Sequence, residues 1–417
     1  MTVIAKNTTQ LGAGLKPTSF AISAQDVKLA TDTLASTPLP TTRDEHWKYT
    51  RVAKLGKIEF SNESASITDA SEYLISDSAC SFVFVNGHFS EALSSKEIPS
   101  GVTCTLLSET EGAENSILPL DGEIFNALNT AFLTDGVSIH IAANAVVESP
   151  VQVIHILKGD AVISNFKTVI HAEKSSKASV IQGFFCAGGK NNFCNNTTEV
   201  KVGENAHLTI EKVQYESLAS FHISTEQVQQ NQNSTFTMNT MTLNGGLVRN
   251  NLNIDVNGQN CITNLNGAYL LKDKQHVDNH SVVDHKVANC ESHELYKGVI
   301  DDNSTAVFNG KVYVRQDAQK INAFQSNGNV LLSDDATVNS KPELEIYADD
   351  VKCSHGSTTG QLDDEAIFYL RARGISEKAA RQLMVSAFIG DVLGKIENTS
   401  VLEYTQQLLQ KRFGWES

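Results

Sequence analysis

Ile139-His140-Ile141, Ile170-His171-Ala172, Val200-Lys201-Val202, Val228, Ile254-Asp255-Val256 and Val282 are short apolar alternations set 31, 30, 28, 26 and 28 residues apart. Alternation with period two marks a strand whose faces meet different surroundings. Its return at a near-constant interval, with Asn and Gly in the breaks, is what stacked coils produce, because one coil buries its apolar face only against its neighbours. The stretch predicts a mainly β fold whose core, residues 137–360, is a right-handed parallel β-helix. The repeat is degenerate, so a β-sandwich is the first alternative on pattern alone. Stacked coils leave ladder edges only at the two ends, where capping is required.

Helical patterns flank this core. Residues 1–136 read as an N-terminal helical and mixed domain. It holds a helix from Ala24 to Leu34, stopped by Pro38-Leu39-Pro40. An aromatic and basic stretch, Glu45-His46-Trp47-Lys48-Tyr49-Thr50, lies within Arg43 to Phe60. A second helix spans Glu123 to Leu133, with Gly136 placed as its stop. Residues 361–417 read as a C-terminal helical domain. Acidic residues open its first helix at Leu362-Asp363-Asp364-Glu365-Ala366, and Gly374 ends it. Ser376 caps a second helix reaching about Lys395, with Ala380, Leu383, Met384, Ala387 and Phe388 along one stripe. A third runs from about Val401 to Phe413. Such a module docks on a partner, or it simply caps the β-helix.

Composition narrows the function classes. A chain of 417 residues with a net charge of −15 is a poor match for nucleic acid or an anionic membrane, both of which demand concentrated Lys and Arg. There is no run of 18 apolar residues and no secretory pattern at Met1-Thr2-Val3-Ile4-Ala5-Lys6-Asn7, so a cytoplasmic location without membrane insertion is expected. Seven cysteines without a Cys-x-x-Cys fit reduced thiols. Asn233-Ser234-Thr235 and Asn303-Ser304-Thr305 then read as turn chemistry rather than glycan acceptors.

The usual catalytic motifs are missing. No Gly-x-x-x-x-Gly-Lys-Ser/Thr is present, and Gly188-Gly189-Lys190 lacks both the spacing and the hydroxyl, so the chain has no nucleotide site of its own. Gly-x-Gly-x-x-Gly, Gly-x-Ser-x-Gly and His-Glu-x-x-His are also absent. Histidines crowd at His276, His280, His285 and His293 around Cys290. On a strand, however, the first two share one face and the last two the other, so the four do not converge without a turn. Cys353 and His355 stand two apart, which on a strand points a thiol and an imidazole the same way. Both are soft or borderline metal ligands, and two ligands leave a site half built. A metal held there needs donors from a second surface or subunit. A buried cysteine beside a hydrogen-bonded histidine is the bland alternative.

Tyr296-Lys297-Gly298-Val299-Ile300, Phe308-Asn309-Gly310-Lys311-Val312-Tyr313-Val314 and Asp317-Ala318-Gln319-Lys320 resemble the shared core of the SufB/SufD family of iron–sulfur cluster assembly scaffolds. So do Leu331-Leu332-Ser333-Asp334-Asp335-Ala336, the run from Lys341 through Val351-Lys352-Cys353-Ser354-His355-Gly356, and Gly360-Gln361-Leu362-Asp363. The likeness reaches Phe368-Tyr369-Leu370-Arg371-Ala372-Arg373-Gly374-Ile375 and, more thinly, Ala127-Leu128-Asn129-Thr130-Ala131-Phe132 and Asp135-Gly136. His46-Trp47-Lys48-Tyr49-Thr50 is similar to the signature near the N-termini of the SufD branch. The resemblance implies a β-helical core flanked by helical domains, paired with SufB through the β-helix. It implies that the ATPase SufC binds the C-terminal helices, in the region of Leu362, Phe368, Leu370, Leu383 and Phe388. It implies, further, a transient iron–sulfur cluster shared with SufB, with His355 at the interface and the catalytic-type cysteine on SufB. Cys353 takes a family position that serves either ligation or packing. A homodimer formed without SufB, and a SufB-like role as the main cluster holder, stay open. A β-helical carbohydrate-active enzyme using Asp334 and Asp335 is the competing enzyme class, weakened because neighbours on a strand face opposite ways.

Overall fold

The computed structural model describes residues 11–20, 22–76, 80–110 and 115–414. From Asp135 to Gln361 the chain winds as a parallel β-solenoid of eight coils, each contributing one strand to each of two sheets. One sheet stacks Val151–Leu157, Lys177–Cys186, His207–Tyr215, Thr235–Asn244, Ile262–Leu271, Glu291–Ile300, Ile321–Leu331 and Val351–Gln361. The other stacks Asp135–Ile141, Ile163–Ala172, Phe193–Val202, Phe221–Gln230, Leu247–Val256, His276–His285, Thr305–Val314 and Thr337–Ile346. Between them lies one continuous core that includes Phe84, Phe166, Phe236, Tyr269 and Phe308.

The register matches the sequence repeat almost throughout. Ile139 pairs with Ile170, Ile170 with Val200, Val200 with Val228 and Val228 with Ile254. The last marker is off by one: Ile254 pairs with Val283, and Val282 faces outward beside Asn253. Two adjacent valines carry no alternation, so the pattern does not say which points inward, and a one-residue slip reverses the face.

The coils turn at a repeated corner. Asn144, Ser175, Asn205, Asn233, Asn260, Asn289 and Lys320 all have φ between 50° and 64° and sit one coil apart. Asparagine tolerates this left-handed conformation better than most residues. Each corner is tied to the next: the backbone N–H of Asn205 donates to Gln232 O at 2.9 Å, and that of Asn233 donates to Gln259 O at 2.8 Å. The Asn260 side-chain amide adds a bond to Asn233 Oδ1 at 3.0 Å. Asn233-Ser234-Thr235 is therefore a corner.

Helix α1, Ala24–Ser36, is capped by Ser23 and packs with α2, Ile124–Ala131, at one flank. Gly136 is not the stop of α2. It lies inside the strand Asp135–Ile141, where a Cβ would collide with the Lys167 carbonyl and Leu107. The chain leaves α2 at Phe132 instead. Trp47 docks this N-terminal region on the second sheet, with the Arg249 guanidinium 3.8 Å from its ring centroid.

The C-terminal helices α3, Asp364–Arg371, α4, Glu377–Leu393, and α5, Thr399–Phe413, begin at side-chain caps from Asp363, Ser376 and Asn398. Helices α4 and α5 lie across the outer face of the first sheet, along coils 207–300, rather than over its end. Val385, Ile389, Val392, Val401, Leu408 and Leu409 join Ile181, Met241, Leu270 and Val299 in a second core there. The buried stripe of α4 is Ala380, Val385, Ile389 and Val392, whereas Leu383 is 51% exposed. This corrects the stripe through Leu383 and Ala387: apolar residues fall on more than one face of α4, so spacing alone does not select the inner one.

Candidate functional site at the open end of the solenoid

At the N-terminal end the first coil is covered. Cys80–Val85, buried along its whole length, pairs with Val151–Leu157, and Val102–Leu106 runs antiparallel to Asp135–Ile141. At the other end, among the described residues, Val351–Gln361 pairs only with Ile321–Leu331, and Thr337–Ile346 only with Thr305–Val314. Both terminal strands keep one bare ladder edge, and neither contains a fully buried residue.

Cys353 and His355 lie on the first of these edges. Cys353 is in register with Ala323 and half-buried against the main core, so it faces the solenoid interior. His355, two residues on, shares that face and is exposed at the mouth. Burial pushes the Cys353 thiol up, against the Ala323 backbone bond, so it is a protonated thiol at neutral pH.

Beneath His355 runs a polar column. Gln325 is its register partner, and Gln325 Nε2 donates to Glu294 Oε2 at 2.9 Å. The Ser281 hydroxyl donates to the other carboxylate oxygen. Burial raises the Glu294 carboxyl to about 7 against these two bonds. Alongside, Ser357 Oγ bonds Ser340 Oγ at 2.7 Å, Ser340 Oγ donates to Asn327 Oδ1 at 2.9 Å, and Asn327 Nδ2 donates to Tyr269 Oη at 2.9 Å. The mouth is thus lined with donors and acceptors.

The docking residues expected on the C-terminal helices separate into two kinds. Phe368, at 72% exposure, and Leu383 face solvent, with Tyr369 exposed beside Phe368. Leu362 and Phe388 pack inward against the second core, and Leu370 is half-buried. Phe388 is an internal anchor, because Lys297 Nζ lies 4.8 Å from its ring centroid and donates to its carbonyl at 2.7 Å.

The histidine-rich stretch does not converge. His276 and His280 flank Asp278 on an outward face covered by Thr50, and Arg249 Nη1 reaches Asp278 Oδ2 at 2.7 Å. Burial works to raise the Asp278 carboxyl, but Arg249, His280 and Thr50 together hold it well below the carboxylate range. His285 turns inward to Ser292, whereas His293 lies on the other sheet, stacked on Phe324. The conspicuous His46-Trp47-Lys48-Tyr49-Thr50 segment is the lid over this buried ion pair.

Sequence reading missed a second group. Cys194, Glu216 and His222 meet inside the solenoid, each at most 1% exposed. The signal that finds it is the repeat itself, since Cys194 and His222 are register partners one coil apart.

The chain is a parallel solenoid flanked by helices, with one covered end and one polar end whose last strands keep a free edge among the described residues. Residues 155–388 match the SufBD core domain of the SUF system for FeS cluster assembly, and residues 13–153 match the SufBD protein N-terminal region. The chain is 32% identical to the iron–sulfur cluster assembly SufBD family protein slr0076 of Synechocystis, across 92% of this chain and 89% of the relative. It is 30% identical to the iron–sulfur cluster assembly protein SufD of Escherichia coli, across 86% of each. A chloroplastic protein of Arabidopsis thaliana, ABCI7, is 29% identical across 89% of this chain and 82% of the relative. The chain belongs to the SufBD family, and its relatives include SufD. Among the described residues no helix is long and apolar enough to cross a membrane.

Proposed function

We propose that this chain is a non-catalytic, SufD-like scaffold subunit of cytoplasmic iron–sulfur cluster assembly. Its open end pairs with SufB, and the SufC ATPase docks on the C-terminal helices around Phe368 and Leu383. The nascent cluster is cargo at the shared interface, held on this side by His355, with Cys353 behind it. One observation carries the reading: the only Cys-x-His pair lies on a bare strand edge, so the surface that lacks ligands is also the surface that lacks a strand. A partner strand completes the ladder and brings the missing donors together. ATP enters through another subunit, in line with the absent phosphate loop.

The test is co-purification. The full chain is expected to retain both SufB and SufC, and truncation before Leu362 to lose SufC. Removing Phe368 and Leu383 should weaken SufC binding while leaving the solenoid folded. His355→Ala should preserve the complex and lower cluster formation in cells. Retention of SufC without the helices, or undiminished cluster formation in His355→Ala, overturns the corresponding role. Polysaccharide cleavage by the chain alone would restore the carbohydrate-active alternative.

A further inference from the structure

Cys194 and His222 are the second residues of neighbouring strands and stand side by side in register, both turned inward. Glu216 reaches them from the opposite sheet, just after the strand His207–Tyr215. One donor atom from each lies within 4.8 Å of the other two. His222 Nδ1 is 2.9 Å from Glu216 Oε2, while His222 Nε2 and Glu216 Oε1 have no hydrogen-bond partner. Two such buried atoms without a protein partner carry a desolvation cost that folded proteins rarely accept.

Among the described residues no other group relieves them. His155, also without a partner at either ring nitrogen, stacks on Phe184 at 4.7 Å, and Phe184 presents its edge to His222 at 4.8 Å. The one buried cation close by, Lys212, is committed to Glu226 at 2.7 Å, and that pair is already neutral. Cys186 packs against the same small cluster of Leu157, Phe184 and Cys194 and offers a further thiol.

We propose that Cys194, Glu216 and His222 form an interior site for one borderline divalent transition metal ion, of the class of Zn²⁺ or Fe²⁺. Thiolate and carboxylate together carry two negative charges, so a divalent ion leaves the buried site neutral. The donor set excludes Ca²⁺ and Mg²⁺, which take oxygen ligands. Ligand bonds of about 2.0–2.3 Å set tetrahedral donors roughly 3.3–3.8 Å apart, so the observed cluster closes on an ion with small side-chain movements. Binding displaces the Cys194 proton, and the ion joins two adjacent coils to the facing sheet. The site is enclosed, so the ion enters as the chain folds. This role is independent of the cluster cargo at the mouth.

The experiment uses the full chain, produced in cells supplied with Zn²⁺ or Co²⁺ and dialysed against EDTA. About one equivalent of metal should survive dialysis, and the Co²⁺ form should show a thiolate-to-cobalt charge-transfer band with tetrahedral d–d transitions. Cys194→Ser and His222→Gln should lose the metal and the band, whereas His355→Ala and Cys353→Ser keep both. No chelator-resistant metal in the unmodified chain, cobalt without a sulfur band, or metal that follows Cys353 and His355 would each overturn the site. If the core variants fail to fold, the cobalt spectrum of the unmodified chain decides alone.

Discussion

Where the solenoid begins, Cys80, Phe82 and Phe84 fill the first coil and every residue of their strand is buried; where it stops, Ser340, Ser357 and His355 stand on strands with no outer neighbour among the described residues, above Asn327 of the strand beneath. Antiparallel pairing by Val102–Leu106 and His88–Phe89 gives the first end a boundary that another coil does not extend. The last end continues the parallel register up to its final residue and then offers it to solvent. Hydrophobic burial finishes one end, while the other exposes an unpaired backbone edge and polar side chains.

This contrast is open to direct attack. The largest effect belongs to the finished end: Phe84→Ala should cost about 3–5 kcal/mol in urea unfolding, by removing a fully buried ring. A loss below about 1 kcal/mol would mean that the first coil is looser than its burial suggests. The polar column beneath the mouth comes next. The folded Glu294 carboxyl titrates near 7, above its ordinary 4.5, so its contribution is fully present below about pH 4.5 and lost as pH rises through 7. Unfolding at pH 5 and pH 8 should show wild type losing on the order of 3 kcal/mol more than Glu294→Gln over that interval. Equal pH slopes would show that the carboxyl is not buried as described.

Smaller effects lie at the edge and the corners. Ser357→Lys places a charge at the mouth and should weaken strand pairing with a partner roughly tenfold while leaving the isolated chain folded. Undiminished pairing would move the interface elsewhere. Asn233→Ala should cost about 1 kcal/mol at its left-handed corner, with Asn233→Gly nearly neutral, both read by thermal melting. The smallest change expected is Leu344→Ala on the half-buried terminal strand, under about 1 kcal/mol in the isolated chain. A loss matching that of Phe84→Ala would erase the difference between the ends.

Much of the solenoid was legible because a repeat writes its register into the sequence many times: Ile139, Ile170, Val200, Val228 and Ile254 form one column. The column was lost at Val282 and Val283, where both residues are apolar and the spacing from Ile254 is 29 residues, against 26 in the coil before it. The position of α4 was readable, but its inner face was not, since Leu383 and Val385 are equally apolar and only the outer face of the sheet chooses between them. Of the candidate site, the shared direction of Cys353 and His355 followed from strand period. The bareness of their edge did not, because it depends on α4 and α5 lying along the flank. The Cys194, Glu216 and His222 group combines residues from both sheets, and only the pairing of Cys194 with His222 leaves a trace in the spacing.

The bare terminal ladder also bears on how much of the chain a cell can tolerate. An unpaired parallel strand is a template without strong preference, and a surplus of subunits will join to one another or to unrelated edges before it stays idle. On the proposed pairing, production of this chain in step with the subunit that covers Val351–Gln361 serves solubility as well as assembly. A strain that makes it alone should accumulate either self-paired copies or protease fragments that end near the last coil.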